Sequence, residues 1–323
     1  MDGVSFIVTV FDKRAYLPRV LAALAGQRGP FRREFVFVDD GSSDGSAELL
    51  AELTAGWEEP VSILRQENRG AASATNRGAA KASLAWLKLL DGDDLLLPGA
   101  TANLLAAAMA SGQPFAYGGL DFYDPAAPDP CEGRAAATGF SLAEDGLARF
   151  IRNCPANSSS ILVSAARYRE TGGCDERLVS PDQALFLRLF ATGGGVRLAG
   201  PVALVPKDAP GRLSQQRGRS RYESVLALHY LVAENPGLSE RHKRLAYRRA
   251  LSRAWRFHRH HGGSAVFSGH FLRLVASRLP LPVDRARAIE RSLAAFTPDG
   301  NSDRPAEWLP GAERARRASW SRG

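Results

Sequence analysis

Three short apolar runs in the first hundred residues each give way to polar or acidic residues, and this repeated ending constrains the fold more than any other feature of the chain. Val4–Val10 leads into Phe11-Asp12, Phe35–Val38 into Asp39-Asp40-Gly41-Ser42, and Ala85–Leu90 into Asp91-Gly92-Asp93-Asp94. Between them lie segments with apolar positions at helical spacing: Tyr16–Ala25, Asp44–Leu53 with Ser43 as its expected cap, and Ala71–Ala82. A further short run falls at Val61–Leu64. Apolar runs of strand length alternating with helical segments predict an α/β fold, a mostly parallel sheet flanked by helices. Ligands in such sheets bind beyond the carboxyl ends of the strands. Three polar strand ends would therefore meet on one rim.

Size and composition set the outer bounds. The 323 residues can bury a substantial core, and 45% hydrophobic with 24% charged residues is ordinary for a globular protein. Three scattered cysteines, Cys131, Cys154 and Cys174, supply neither a disulfide framework nor a paired metal site. The opening MDGVSFIVTVFDK reads as a first core strand, with no basic lead or small-residue cleavage site. No apolar stretch approaches the roughly 20 residues that span a bilayer. The expected setting is cytoplasmic, with a peripheral contact at the inner face of the membrane as the closest approach to lipid.

Charge divides the chain. Residues 1–210 hold 20 Lys+Arg against 25 Asp+Glu, whereas residues 211–323 hold 22 against 9. Residues 98–210 carry mixed signals: helices near Gly99–Ala110 and Pro181–Phe190, strands near Phe115–Tyr117 and Ser159–Val163, and a proline-rich loop at Asp124–Pro130. From about Ser214 the pattern is helical, through Tyr222–Ala233, Glu240–His260 and Ser264–Ser277. The boundaries expected are a catalytic domain over 1–210, a basic helical appendage over 211–303 and an Arg/Trp-rich tail over 304–323. The Arg- and His-rich stretch Arg241–His261 reads either as a packed helix with a solvated basic face or as an amphipathic helix on an anionic membrane. His258, His260 and His261 have no Cys or carboxylate beside them and make a poor metal site. No nucleic-acid-binding motif accompanies the basic charge, so nucleic acid is not an expected partner.

Alternate carboxylates in Asp91-Gly92-Asp93-Asp94 suit a hard divalent cation with oxygen ligands, and equally suit a surface turn. Twelve-residue calcium loops are excluded, because the closing glutamate position holds Ala102 or Leu50. Asp39 and Asp40 can receive ribose hydroxyls or a base N–H, or simply cap the next helix. Taken in order, Ser5–Val10, Val38-Asp39-Asp40-Gly41-Ser42-Ser43-Asp44, Asn68-Arg69-Gly70 with Asn76-Arg77-Gly78, and Leu90-Asp91-Gly92-Asp93-Asp94 resemble the family-2 glycosyltransferases of A-type, Rossmann-like fold. The resemblance covers about residues 4–210 and is strongest up to Pro98. It implies an inverting, metal-dependent transfer from a nucleoside diphosphate sugar, with uridine as the base. By the same resemblance Thr9, Phe11, Asp39, Asp40, Asn76 and Asp91 line the nucleotide site. Asp93 would ligate Mg²⁺ or Mn²⁺. Two positions depart from the family pattern: Phe11-Asp12 stands where a Tyr-Asn pair is frequent, and Thr75 where Arg is frequent.

Inverting transfer requires a carboxylate that takes the acceptor's proton. The segment from Gly172-Gly173-Cys174-Asp175-Glu176 to Asp182 and its following helix resembles the family's acceptor segment, which makes Asp182 the expected base. Its plainer role is a favourable negative charge at a helix N-terminus. Asp175 and Glu176 read as turn residues. Within Arg212–Arg219 the family often places a loop over the donor diphosphate, where Arg212, Arg217 or Arg219 could serve, with Arg212 taken as the contact, since arginine matches phosphate oxygens with parallel donors. The plainer role is a solvated linker before a helix. The function expected is transfer of a sugar to a hydroxyl of a saccharide or lipid-linked acceptor, in surface polysaccharide or glycoconjugate synthesis. The alternative is a non-catalytic sugar-nucleotide-binding or scaffold protein. A dinucleotide oxidoreductase is excluded because no G-x-G-x-x-G follows the first strand.

Overall fold

A computed structural model describes residues 3–207, 217–261 and 268–297. Strand and helix alternate as expected through β1 (Gly3–Val10), α1 (Leu17–Ala25), β2 (Arg32–Asp39), α2 (Ser46–Thr54), β3 (Val61–Arg65), α3 (Ala71–Lys81) and β4 (Trp86–Asp91). There follow β5 (Leu95–Leu96), α4 (Ala100–Ser111), β6 (Phe115–Tyr123), β7 (Phe140–Leu142), α5 (Gly146–Arg152), β8 (Ile161–Ser164), α6 (Ala165–Glu170), α7 (Asp182–Thr192) and β9 (Val196–Pro206). The remaining helices are α8 (Arg217–Glu234), α9 (Glu240–His261), α10 (Gly269–Ala276) and α11 (Arg285–Ser292).

The strands form one sheet in the order β3-β2-β1-β4-β8-β6-β9-β5, with β7 on β9. β3, β2, β1 and β4 are mutually parallel. Beyond β4 the sheet is mixed: β8 runs antiparallel to β4 and β6, while β6 and β9 are parallel. Register places Thr9 beside both Val38 and Asp91, so the three polar strand ends do meet on one rim.

Alternation along β1 explains the layering. Val4, Phe6, Val8 and Val10 face one side and pack with Leu17, Val20, Leu24, Leu50 and Leu104 from α1, α2 and α4. Ile7 faces the other side, where α3, α5, α7, α8, α9 and α11 share one buried cluster. Tyr117 sits in that cluster with ring centroids 5.4 Å from Phe150 and 5.6 Å from Phe186. The apolar stripe of α9, comprising Ala246, Tyr247, Ala250, Leu251 and Ala254, is buried in the same cluster. That stripe therefore packs against protein, which corrects the lipid-facing alternative for Arg241–His261. Residues 304–323 lie outside the described residues.

Two local expectations differ from the structure. Ser43 does not cap α2: its N–H donates to Asp12 Oδ1 at 2.8 Å, and Gly45 at φ +81° is the N-cap. The eleven-residue β9 has no counterpart in the sequence reading, because Gly200-Pro201 interrupts its apolar pattern. Its pairing with β6 shifts register there, so the break in pattern marks an irregularity within a strand rather than its end.

Candidate active site

Polar loops at the ends of β1 and β2 are laced together. Asp12 N donates to Ser42 Oγ at 3.0 Å, Lys13 N to Ser46 Oγ at 3.1 Å and Arg14 N to Asp44 Oδ2 at 3.0 Å. Asp12 takes φ +51°, a left-handed conformation that aspartate tolerates better than most residues. Gly92 N donates to Thr9 O at 2.8 Å, joining the end of β4 to the same rim. Gly92 is needed for closeness rather than for a left-handed turn: a Cβ there would lie 2.8 Å from Thr9 O and 3.1 Å from Val10 Cγ2.

Asp39 is fully buried; Oδ1 accepts from Ser42 N at 3.1 Å and Oδ2 lies 3.2 Å from Arg65 Nε. Asp40 is turned into the protein. It accepts from Gln66 Nε2 at 2.8 Å, Arg69 N at 2.9 Å and Gly70 N at 2.8 Å, holding the loop that enters α3. Burial raises its pKa against those hydrogen bonds, and the adjacent Asp39 adds to the rise. Asn76 is likewise occupied: Oδ1 accepts from Tyr168 Oη at 2.7 Å and Cys174 N at 2.9 Å, and Nδ2 donates to Cys174 O and Glu176 Oε1, both at 2.9 Å. It pins α3 to the Gly172–Glu176 turn. Phe11 is 44% exposed at the rim, open for stacking. Arg212 lies outside the described residues.

At the end of β4 the carboxylates crowd. Asp93 and Asp94 are buried, and Asp93 Oδ2 meets Lys13 Nζ at 2.6 Å. Burial, then the charges of Asp94, Asp182 and Asp93, push the Asp91 carboxyl well above its ordinary pKa, with Lys13 opposing. Asp182, first residue of α7, thus lies within electrostatic reach of the turn although 91 residues separate them in sequence. Among the described residues no three His, Cys, Asp or Glu side chains converge as a metal cage. What is present is an excess of negative charge with Lys13 as a cation at Asp93. That fits a divalent ion whose remaining ligands come from a diphosphate and water.

Asp182 is held by the turn that leads into β8. Ser158 N and Oγ donate to Asp182 Oδ1 at 2.9 and 2.5 Å. Asp91 N donates to Ser159 Oγ at 3.0 Å, and Asn157 Nδ2 to Asp94 Oδ2 at 2.9 Å. One turn, Asn157–Ser160, therefore fixes the acidic turn and Asp182 together. Lys88, fully buried in β4, donates to Ser159 O at 2.6 Å and Leu89 O at 2.7 Å. Burial lowers its pKa to about 7 against the pull of Asp94 and Asp91. A lone lysine inside the apolar Trp-Leu-Lys-Leu-Leu run was the available signal. Asp175 and Glu176 are turn residues as expected: Asp175 Oδ2 pairs with Arg177 and Arg188, each at 2.6 Å.

This rim places an acidic turn, an exposed aromatic and a second-element carboxylate beyond the carboxyl ends of parallel strands. Residues 5–128 match the family model described as Glycosyl transferase family 2. This segment is a family 2 glycosyltransferase segment. The family 2 segment is similar to poly-β-1,6-N-acetyl-D-glucosamine synthase of Staphylococcus aureus (strain COL), 27% identical over 96 residues, 30% of this chain and 23% of that protein. It is also similar to glycosyltransferase AglE of Haloferax volcanii, 31% identical over 91 residues, 28% of this chain and 30% of AglE. The matches thus span about a quarter to a third of those relatives. Over the whole fold, TarS 1–349 of S. aureus in complex with UDP-GlcNAc superposes with TM-score 0.64 at 16% identity, covering 91% of this chain and 84% of that one. The mannosyltransferase PcManGT from Pyrobaculum calidifontis, in complex with GDP-Man and Mn²⁺, superposes with TM-score 0.58 at 16% identity, covering 99% and 88%. These likenesses establish the A-type fold. No helix among the described residues is long and apolar enough to cross a membrane.

Proposed function

We propose that this protein transfers a sugar, with inversion, from a nucleoside diphosphate sugar to a hydroxyl of a saccharide or lipid-linked acceptor. The observation that carries the proposal is the Asn157–Ser160 turn, which holds Asp182 beside the Asp91–Asp94 turn. A shared tether for the acidic turn and Asp182 supports reading them as one site.

Thr9, Phe11, Asp39 and Asp91 receive the nucleotide, with Phe11 stacking on the base; Asp40 and Asn76 support it by fixing the loops behind. Arg212, outside the described residues, is the arginine we assign to the diphosphate. Asp182 takes the proton from the acceptor hydroxyl as that oxygen bonds to the anomeric carbon. The bond from that carbon to the diphosphate oxygen breaks on the opposite face, and the diphosphate leaves with the electron pair. Mg²⁺ or Mn²⁺, held by Asp93, would stabilise the charge on the departing diphosphate. Uridine is the base we favour, supported by the UDP-GlcNAc complex of TarS. Surface polysaccharide or glycoconjugate synthesis is supported by the synthase relatives.

Peripheral membrane contact falls on α10 and the segment after it. Leu272, Val275, Leu279, Leu281 and Val283 are all exposed, with Arg273 and Arg278 between them in sequence. An apolar stripe flanked by arginine suits an anionic interface. Flotation with phosphatidylglycerol vesicles should carry the wild type and leave Leu272→Ser/Leu279→Ser behind. Equal flotation of both proteins would remove that surface from consideration.

Thermal shift with a panel of nucleoside diphosphates, with and without Mn²⁺, tests the donor site. One nucleotide should raise Tm by mass action, and the metal-dependent part should vanish in Asp93→Ala. A folded protein that responds to no nucleotide would favour a scaffold instead.

A further inference from the structure

Four arginines gather behind the Asp182 end of the site with no carboxylate paired to them among the described residues. Arg249, Arg253 and Arg256 recur at i, i+4 and i+7 of α9 and so share one face, and Arg221 stands on the adjoining α8. Among the described residues none of the four makes an ion pair. Arg253 Nη1 donates only to the Ser224 carbonyl at 3.2 Å, and Arg249 Nη2 to Asn153 Oδ1 at 2.9 Å. Arg249 Nε is buried and bonded to nothing.

Their charges act on each other. Burial first, then Arg249 and Arg221, lower the Arg253 pKa to about 9; burial, then Arg256 and Arg221, lower that of Arg249. Guanidinium groups remain protonated at neutral pH even so, and the direction of these shifts records unrelieved repulsion. Other arginines of this chain meet carboxylates: Arg177 with Asp175 and Glu234, Arg241 with Asp145. Left unpaired, a partly buried cationic cluster of this kind is costly.

Two short paths link the cluster to Asp182. Ser224, whose carbonyl receives Arg253, donates its own hydroxyl to Gln183 Oε1 at 2.6 Å, and Gln183 adjoins Asp182. Asn153, which receives Arg249, begins the loop that ends at Ser158 on the Asp182 carboxylate. Cys154 lies between, its thiol subject to both the Asp182 and Arg253 charges. Asn153 also lines a cleft of about 410 Å³ with Arg149, Arg152, Glu144 and Asp145. Asp145 is already engaged by Arg241 and His242.

We propose that Arg221, Arg249, Arg253 and Arg256 form a binding site for a phosphate group carried by the acceptor. This rests on the reading of Asp182 as the base on the acceptor side. Guanidinium forks on two helices, near enough for their charges to act on one another, match a tetrahedral oxyanion better than a planar carboxylate. A phosphate ester or phosphodiester bound here would neutralise the cluster and present a neighbouring hydroxyl towards Asp182.

The test uses the full chain as wild type and as Arg249→Gln/Arg253→Gln, with the exposed pair Arg221→Gln/Arg256→Gln as a second variant should the first fail to fold. Glycerophosphoglycerol, sn-glycerol 3-phosphate and glucuronate are titrated by thermal shift, and the same glycerophosphate headgroup is offered in phosphatidylglycerol vesicles. The phosphate esters should stabilise the wild type, less at high salt, and bind the variant about tenfold more weakly or worse, the scale of one charged hydrogen bond. Discrimination between wild type and variant by free ester assigns a soluble or polymeric phosphate. Discrimination only on vesicles assigns a lipid headgroup, and either result supports the site. No difference between wild type and variant with any phosphate, or stabilisation by glucuronate alone, overturns it. The nucleotide response, measured in parallel, should be unchanged in the variants. Its loss from the wild type would instead count against the donor reading.

Discussion

Asp182 Oδ1 receives two donors from Ser158, the hydroxyl at 2.5 Å and the amide at 2.9 Å. The carboxylate is thus oriented by its partner before any substrate arrives. Asp182→Asn keeps the shape and removes the proposed base, so kcat should fall about 10²- to 10⁴-fold while the nucleotide-induced thermal shift persists. Ser158→Ala removes one orienting hydrogen bond and should lower kcat about tenfold with donor KM unchanged, whereas Ser158→Thr, which keeps a hydroxyl, should recover most of the loss. Steady-state kinetics on both serine variants separates orientation from general damage to the fold, which would also lower Tm. Lys88 belongs to the same scale. Its ammonium holds Ser159 O from inside the sheet, and sequence hints at it only as a charge in an apolar strand.

α3 shows what an element contributes. It lies flat on β1 and β2 at Gly78, where a Cβ would stand 2.5 Å from Ile7 Cγ2 and 3.1 Å from Val38 Cγ2. Both neighbours are β-branched and fully packed, so neither can rotate away. Gly78→Ala should therefore destabilise by about 1–3 kcal/mol despite alanine's better helix propensity. Denaturant unfolding reads this directly, and a stabilised variant would mean that the helix can lift. Further along, Asn76 uses all of its amide to dock the Gly172–Glu176 turn. The family resemblance marks Asn76 as lining the nucleotide site; in the structure its amide is taken up in tying α3 to that turn.

Across the whole molecule, carboxylates with depressed pKa join distant parts. Glu34 bridges β2 to Ser5 and Ser83; burial opposes the shift, and hydrogen bonds from those serines and from Leu84 outweigh it. For Asp175 burial again opposes, while the Arg177 hydrogen bond and the Arg188 charge lower the value. Asp145 joins α5 to α9 through His242 and Arg241, whose hydrogen bonds likewise outweigh burial. A depressed folded-state pKa contributes stability that is complete above the unfolded value and is lost as pH falls through the folded one. Stability should hold above about pH 5 and decline below about pH 4, around the ordinary values of these groups. Asp175→Asn should cost about 2 kcal/mol at pH 7, the scale of a charged hydrogen bond, and should flatten the acid limb. An acid limb unchanged in Asp175→Asn would show that the Arg177 and Arg188 pairs do not contribute to folding.

Sequence by itself determined the order of strands and helices through β4, because apolar period and turn chemistry are local and the first four strands obey them. It also determined which residues stand at the strand ends, since Asp39, Asp91 and Asp93 follow their strands in the chain. It could not determine β9, whose pattern Gly200-Pro201 breaks and whose register is completed by β6. Nor could it separate Asp40, turned inward onto the Gln66–Gly70 loop, from Asp39, because adjacent aspartates look alike until their donors are placed. The approach of Asp182 to Asp91 across 91 residues, and the gathering of four arginines that make no ion pair among the described residues, were decided only by tertiary structure. Such contacts depend on where helices land on the sheet, and sequence spacing carries no record of a distance closed by packing.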